Sequence, residues 1–463
     1  MYVLAILSVL RALRSTRTSQ GAIAWILSLL TIPYIAIPLY WIFGRNKFAG
    51  YYQQRETLEK ENRHLVDQSS NALAEFIALP DDDQLLYKSL GKLARMPATT
   101  GNRVELLING EATYDSMAQG LEAAQSYILF QFYIIRDDAA SRRLGDILVR
   151  KSLAGVKVFV LYDEIGTRQF HRSELHRKLL QAGVNIAAFN TTQGPKNRLQ
   201  INFRNHRKTV VVDGRKAWTG GLNLGEEYLG KHHRLSPWRD THTCVSGPAV
   251  LALQLAFATD WRWAMRSPMG LNWNLQPHWC GDHKVLVIAS DPSGLYDEAG
   301  LMFHQAIVEA RQRIWITSPY FVPDQATVSA LQLAALRGVD VRVMIPDNPD
   351  GVLVDLAAWS YTRKLNHTGV KIYRYEPGFL HQKVLLMDDH LAGVGTANFD
   401  NRSFRLNFEI TLLVDNREFA ADIAKMLERD FANSRLVSTE DFAAKPWWHH
   451  YASDAASLLS PLL

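Results

Sequence analysis

Two histidines of this chain stand in the same short frame: His206 is followed by Lys208 and Asp213, and His381 by Lys383 and Asp388, at identical spacing. The agreement continues past the motif. Gly220, Gly221 and Asn223 follow the first histidine at the distances at which Gly395, Thr396 and Asn398 follow the second. A carboxylate comes later in each half, Asp240 in Trp238-Arg-Asp-Thr-His and Glu409 in Asn407-Phe-Glu-Ile. One copy of so short a motif arises readily by accident, whereas two copies that agree beyond the motif are a signal.

These residue types suit chemistry at a phosphate. An imidazole can act as nucleophile or proton carrier near neutral pH. A lysine supplies fixed positive charge for the nonbridging oxygens, whose negative charge otherwise repels a nucleophile. Asn223 and Asn398 can donate amide hydrogens to the same oxygens. Asp240 and Glu409 are placed to bond one ring nitrogen of a histidine, fixing its tautomer and supporting its cation. Asp213 and Asp388 read differently: they precede Gly214 and Asp389 in hairpin turns, where such side chains commonly bond turn amides.

The elements that must carry these groups follow an α/β pattern. Ser126–Ile135 and Val156–Tyr162 read as strands around a helix from Asp138, a candidate N-cap, to Ala154; a helix at Ser173–Ala182 and a strand at Val184–Phe189 follow. The order recurs in the second half as Arg313–Val322, Ala326–Arg337, Val339–Ile345, Val352–Leu365 and Val370–Tyr375. A period of this size marks an internal duplication of whole domains. Alternation along each motif strand would place His and Lys on one face, with Val210–Val212 and Val384–Met387 continuing as core.

At 463 residues with 47% hydrophobic content the chain can bury two sizeable cores. Its 51 basic against 46 acidic residues form only a mild excess, without the concentrated basic stripe of a nucleic-acid binder, so no nucleic-acid partner is expected. Cys244 and Cys280 lack metal-ligand spacing and are too few for a disulfide framework.

Residues 21–44 carry no charge until their end, with Trp25, Tyr34, Tyr40 and Trp41 towards the flanks, and predict a transmembrane helix despite Pro33 and Pro38. The apolar residues 1–10 reach only part of a bilayer, and the arginines that follow them, Arg11, Arg14 and Arg17, argue against a signal peptide. Arg45, Lys47, Arg55, Lys60 and Arg63 lie on the other side, and the positive-inside rule favours a cytoplasmic body. The tail from Trp447 and Trp448 to Leu463 can touch a membrane or dock on the body. Arg402 and Arg405 are candidates for a lipid phosphate or for salt bridges, and core packing is the better reading of Tyr320 and Phe321. His232, His233, His242, His449 and His450 match no part of the motif and read as surface or packing residues.

With its two His-x-Lys-x4-Asp motifs, each followed by a Gly-x-x-Asn turn, the chain resembles the phospholipase D superfamily over nearly everything after residue 95. Within it, His-Arg-Lys-Thr-Val-Val-Val-Asp-Gly, Gly-Gly-Leu-Asn-Leu-Gly-Glu-Glu-Tyr-Leu, Trp-Arg-Asp-Thr-His and Asn-Phe-Glu-Ile look like those of bacterial cardiolipin synthases. Gly221 departs from the pattern, which usually has Ser or Thr there, and such synthases usually have two membrane spans. The resemblance implies an α/β fold of two tandem repeats, mixed sheets flanked by helices, sharing one active site behind an N-terminal transmembrane segment. Composition and the repeated order divide the chain into a membrane anchor at 1–50, a helical, partly exposed connector at 51–95, repeats at 96–270 and 271–440, and a tail at 441–463. The resemblance further implies a catalytic set of His206, Lys208, Asp213, His381, Lys383 and Asp388, with no metal or cofactor. The expected reaction joins two phosphatidylglycerol molecules into cardiolipin and glycerol through a phosphatidyl-histidine, His206 being the nucleophile by analogy and His381 the acid and base. The expected setting is the bilayer of a bacterial inner membrane. A phospholipase D-type hydrolase, a nuclease and a non-enzymatic scaffold are the rival readings, and oligomeric state stays open.

Overall fold

The computed structural model describes all residues except 16–17, 45–46, 62–70, 79–84, 191 and 193–199. Arg17, Arg45 and Arg63, which entered the reading of membrane orientation, lie outside the described residues, as do parts of the connector.

Val, Ile, Leu and Phe fill the strands of both halves so fully that Tyr127–Phe132 and Val384–Met387 are buried on both faces. Strands of that kind need helices above and below them. A single sheet of 16 strands runs through both halves. The halves meet at its centre, where Thr99–Ile108 pairs antiparallel with His283–Ser290. Outwards from there the first half orders its strands as Thr241–Ser246, Lys216–Gly220, Thr209–Val212, Tyr127–Phe132, Lys157–Asp163 and Asn185–Phe189. The second half repeats the order as Asn407–Asp415, Leu391–Gly395, Val384–Met387, Arg313–Thr317, Asp340–Pro346 and Lys371–Tyr375. In each half the last three strands are parallel and the others antiparallel, giving a mixed sheet. Helices Val250–Met265 and Arg417–Ala432 bury Leu253, Phe257, Ile423 and Leu427 in one core that spans both halves. Separate cores fill the opposite face of each half.

Most predicted elements form near their expected limits. Helix Ala139–Leu153 is capped by Asp138, whose Oδ1 accepts the Ser141 N–H at 3.0 Å. In the connector, Tyr51–Glu61 and Leu85–Ala94 are partly exposed helices, with Leu86 and Leu90 buried in the second-half core and Tyr51 1% exposed. One expectation changes. The N-terminal apolar stretch forms two helices, Ser19–Thr31 and Pro33–Phe43, broken at Ile32 (φ −132°, ψ 58°) because Pro33 has no N–H to continue the first. Pro38 stays inside the second helix. No helix among the described residues is long and apolar enough to cross a membrane. These helices pack against Tyr2–Ser15 through Ala5, Ala12, Leu29, Ala36 and Tyr40, with Trp41 Nε1 donating to Ser8 Oγ at 3.2 Å. Val3, Leu7 and Ile35 point outwards and are 72%, 56% and 62% exposed.

The tail docks through one face. Arg363 pairs with Asp454 and Tyr361 OH donates to Ser460 Oγ at 2.9 Å, while Trp447 and Tyr451, one helical turn apart, remain 75% and 72% exposed.

Candidate active site

Neither motif histidine lies inside a strand, contrary to the alternation expected from sequence. Arg204–Asn205 pairs in parallel with the start of Asn407–Asp415 in the other half, residues 206–208 cross over, and Thr209–Val212 then joins its own half. The second motif mirrors this: Phe379–Leu380 pairs in parallel with Trp238–Arg239 before Val384–Met387 rejoins its own half. Each histidine is therefore pinned to the opposite repeat. His206 N–H donates to Phe408 O at 2.9 Å and His381 N–H to Arg239 O at 2.8 Å.

The carboxylates cross in the same way. His206 Nδ1 lies 2.9 Å from Glu409 Oε2, and His381 Nδ1 lies 2.7 Å from Asp240 Oδ2. A carboxylate at Nδ1 holds the proton there and leaves the Nε2 lone pair for chemistry. Both rings are nearly buried, at 9% and 8% exposure. Burial lowers the His206 pKa to about 4, against the opposing pull of Glu409 and with Lys208 and Lys383 adding to the fall. His381 is lowered to about 3 by burial and Lys383, with Asp240 opposing and Lys208 contributing. Each ring thus feels the lysines of both halves. For Glu409 and Asp240, burial alone would raise the pKa, but the partner histidine and nearby lysines outweigh it and both carboxylates stay below their ordinary range.

Lys208 Nζ donates to His206 O at 2.6 Å, and Lys383 makes the same bond to His381 O. Burial depresses both ammonium groups, Lys383 to about 8. Each bond occupies one of three N–H groups and leaves the others for an anion. The asparagines are less alike. Asn223 accepts the Ile134 N–H at 3.1 Å and donates to Tyr228 OH at 3.1 Å, whereas the buried Asn398 Oδ1 has no hydrogen-bond partner among the described residues.

Asp213 and Asp388, part of the set implied by the resemblance, have their carboxylates engaged by backbone amides. Both sit in turns with positive φ, 52° and 54°. Asp213 accepts the N–H groups of Gln125, Ser126 and Tyr127; Asp388 accepts those of Arg311, Gln312 and Arg313. The carboxylates clamp the loops that open the neighbouring strands, the turn role their sequence context indicated. Arg405 is held by Asp324 and Asp297, and Arg402 by Asn202 and the Leu462 carbonyl. Phe321 is core, but Tyr320 is half-buried and donates to Asp350 Oδ2 at 2.7 Å. His242 is fully buried, while His232 and His233 stack on each other.

Two aromatic walls escaped the sequence reading. Tyr133 stands edge-on to His206 at 5.0 Å, and Trp238 lies 5.0 Å from the His381 ring while its Nε1 donates to Asp240 Oδ2 at 3.2 Å. The only hint of Trp238 was its place two residues before Asp240.

The family model described as "Cardiolipin synthase, PLD-like domain" matches residues 117–235 and 303–431, and "Phospholipase_D-nuclease N-terminal" matches 1–45. The chain is 44% identical to Cardiolipin synthase A of Pseudomonas putida KT2440 over 469 aligned residues, covering 100% of this chain and 96% of that protein. It is also 44% identical to Cardiolipin synthase A of Pseudomonas aeruginosa LESB58, over 100% and 94% of the two chains. Among solved structures, the phosphatidylserine synthase of Haemophilus influenzae superposes with a TM-score of 0.60 at 13% identity, over 82% of this chain and 100% of that one, a likeness of fold. With two matched domains that contain both crossed histidine–carboxylate pairs' imidazoles, and full-length identity of this order, the chain belongs to the phospholipase D superfamily and, within it, to the cardiolipin synthase family.

Proposed function

We propose that the protein is a membrane-bound phosphatidyltransferase that joins two phosphatidylglycerol molecules into cardiolipin and releases glycerol. The observation that carries this reading is the crossed pair of carboxylate-bound imidazoles, one from each repeat, flanked by two buried lysines. Full-length identity with proteins named cardiolipin synthase selects the lipid reaction among those such a site can run.

In the first step His206 Nε2 attacks the phosphorus of one phosphatidylglycerol. The bond from phosphorus to the glycerol headgroup breaks, and the leaving oxygen takes a proton from His381 Nε2. The phosphatidyl group is now bound to His206. In the second step His381 accepts the proton of a glycerol hydroxyl on another phosphatidylglycerol, whose oxygen attacks phosphorus and displaces His206. The proton returns to His381 and the enzyme is regenerated. Splitting one displacement into two through a covalent intermediate lowers each barrier. In the free protein burial keeps both rings neutral. A phosphodiester adds a negative charge beside them and raises their pKa, so with substrate bound His381 can take up from water the proton that it gives to the leaving oxygen. Lys208, Lys383 and the side-chain amide of Asn398 serve the nonbridging oxygens; Asn223, engaged with Tyr228 and Ile134, contributes one remaining amide hydrogen. Glu409 and Asp240 hold the rings.

The family's N-terminal match and the outward leucines and isoleucines of the helices in residues 1–43 support a bilayer anchor; the body is assigned to the cytoplasmic face of a bacterial inner membrane from the positive-inside rule alone. In this reading 1–50 is anchor, 51–95 connector, 96–270 and 271–440 the repeats, and 441–463 a tail whose Trp447 and Tyr451 meet the lipid surface.

The test is purified protein in detergent with phosphatidylglycerol, with cardiolipin, glycerol and phosphatidic acid followed together. Cardiolipin and glycerol in equal amounts are expected, unchanged by EDTA. Phosphatidic acid as the main product would replace the transferase with a hydrolase, and EDTA inhibition reversed by a metal would refute the metal-free scheme.

A further inference from the structure

The His206 half of the site is completed by residues from outside the two repeats. Phe48 and Tyr51 follow the N-terminal helices, which end at Phe43. Phe48 packs 5.3 Å from Phe408, the residue whose carbonyl accepts the His206 N–H and whose neighbour is Glu409. Tyr51 lies 4.8 Å from the same ring and donates its hydroxyl to Asp260 Oδ1 at 2.5 Å. Asp260, 0% exposed, binds both neighbours of His206: Arg207 Nη1 donates to Oδ1 at 2.8 Å and Asn205 Nδ2 to Oδ2 at 2.8 Å. Arg207 in turn donates through Nε to Glu409 O at 3.1 Å.

The other half has a counterpart built differently. Asp430 accepts Arg239 Nη2 at 2.7 Å and Gln382 Nε2 at 2.8 Å, so it also grips residues beside His381 and Asp240. These partners all come from the repeats themselves. The mechanism above uses neither network; Tyr51 and Asp260 lie outside the motif, and Arg207 fills its unspecified position between His206 and Lys208.

We propose that Tyr51, through Asp260 and Arg207, is a positioning residue for the His206–Glu409 pair, so that the packing of Phe48 and Tyr51, which follow the N-terminal helices, sets the geometry of that half alone. A buried carboxylate that gathers several donors holds them in one arrangement, and losing one donor leaves the others free to shift. The inference rests on reading His206 as part of the phosphatidyl-transfer site.

The test uses the full-length protein in detergent with Tyr51→Phe, which keeps the ring and removes only the hydroxyl. On the scale of one buried hydrogen bond, kcat per folded molecule should fall about fivefold while KM for phosphatidylglycerol stays within about twofold. In nitrogen-15 spectra of the histidine rings, the His206 resonances should move and those of His381 should stay. Asp260→Asn should move the same resonances further. Unchanged kcat and ring spectra in both variants would overturn the inference, as would equal movement of both histidines, which marks general loosening. If wild-type protein turns over no lipid, the functional reading fails, while the ring spectra still decide whether Tyr51 positions His206.

Discussion

The two halves of the site share a backbone plan and differ in how each carboxylate is held. Glu409 receives His206 together with Thr396 Oγ1 at 2.6 Å, Ser403 Oγ at 2.9 Å and Asn407 Nδ2 at 3.0 Å. Asp240 receives His381 together with Thr241 N at 2.8 Å and Trp238 Nε1 at 3.2 Å. The position of Thr396 is taken in the first half by Gly221, where a Cβ would stand 2.0 Å from Asp240 Oδ1. Gly221, which looked from sequence like a lost hydroxyl, is thus the space that Asp240 occupies, and the indole of Trp238 supplies the donor instead. Duplication conserved the geometry of the imidazole and let its support diverge.

That difference can be broken by mutation. The largest effect is common to both halves: His206→Ala and His381→Ala should each lower phosphatidyl transfer by about a thousandfold or more, measured as cardiolipin formed by folded protein. Gly221→Thr should come next, since its Cβ pushes Asp240 from His381; a loss of about a hundredfold in kcat is expected. Thr396→Gly removes one hydrogen bond to Glu409 and leaves two side-chain donors beside His206, so a loss of about fivefold should suffice. Equal effects of these two exchanges would remove the asymmetry. Lys383 sharpens the comparison through pH. It is charged below its pKa of about 8, so kcat/KM for the anionic lipid should fall as pH rises through that value. Lys383→Arg should abolish that limb of the profile. Smallest in its effect on chemistry is Asp213→Asn: loss of charge at three loop amides should lower stability by about 1–3 kcal/mol in thermal unfolding and leave kcat per folded molecule near wild type.

Much of the site was legible because its residues repeat at fixed local spacing. His206, His381, their lysines and the asparagines could be found by laying one half of the chain on the other, and the carboxylates, which do not share one spacing, by their place at the start of the β-like run after each asparagine. The repeated strand and helix order was legible from hydrophobic periodicity for the same reason. The pairing of Glu409 with His206 and of Asp240 with His381 was not, because partners 203 and 141 positions apart meet only through the crossing of short strands between repeats. Asp260, Tyr51 and Trp238 stayed hidden because an isolated Asp or aromatic residue carries no spacing signal, and its role arises from burial. The helix break at Ile32 was misjudged because hydropathy registers apolar length and says little about whether Pro33 bends a helix or ends it.

The central claim is that the crossed pairs form one transfer site in which His206 carries the lipid. Acid-quenched protein labelled with radioactive phosphatidylglycerol tests it directly, comparing His381→Ala with His206→Ala. The account predicts covalent label on His381→Ala protein and none on His206→Ala; label on the His206→Ala protein alone would contradict it.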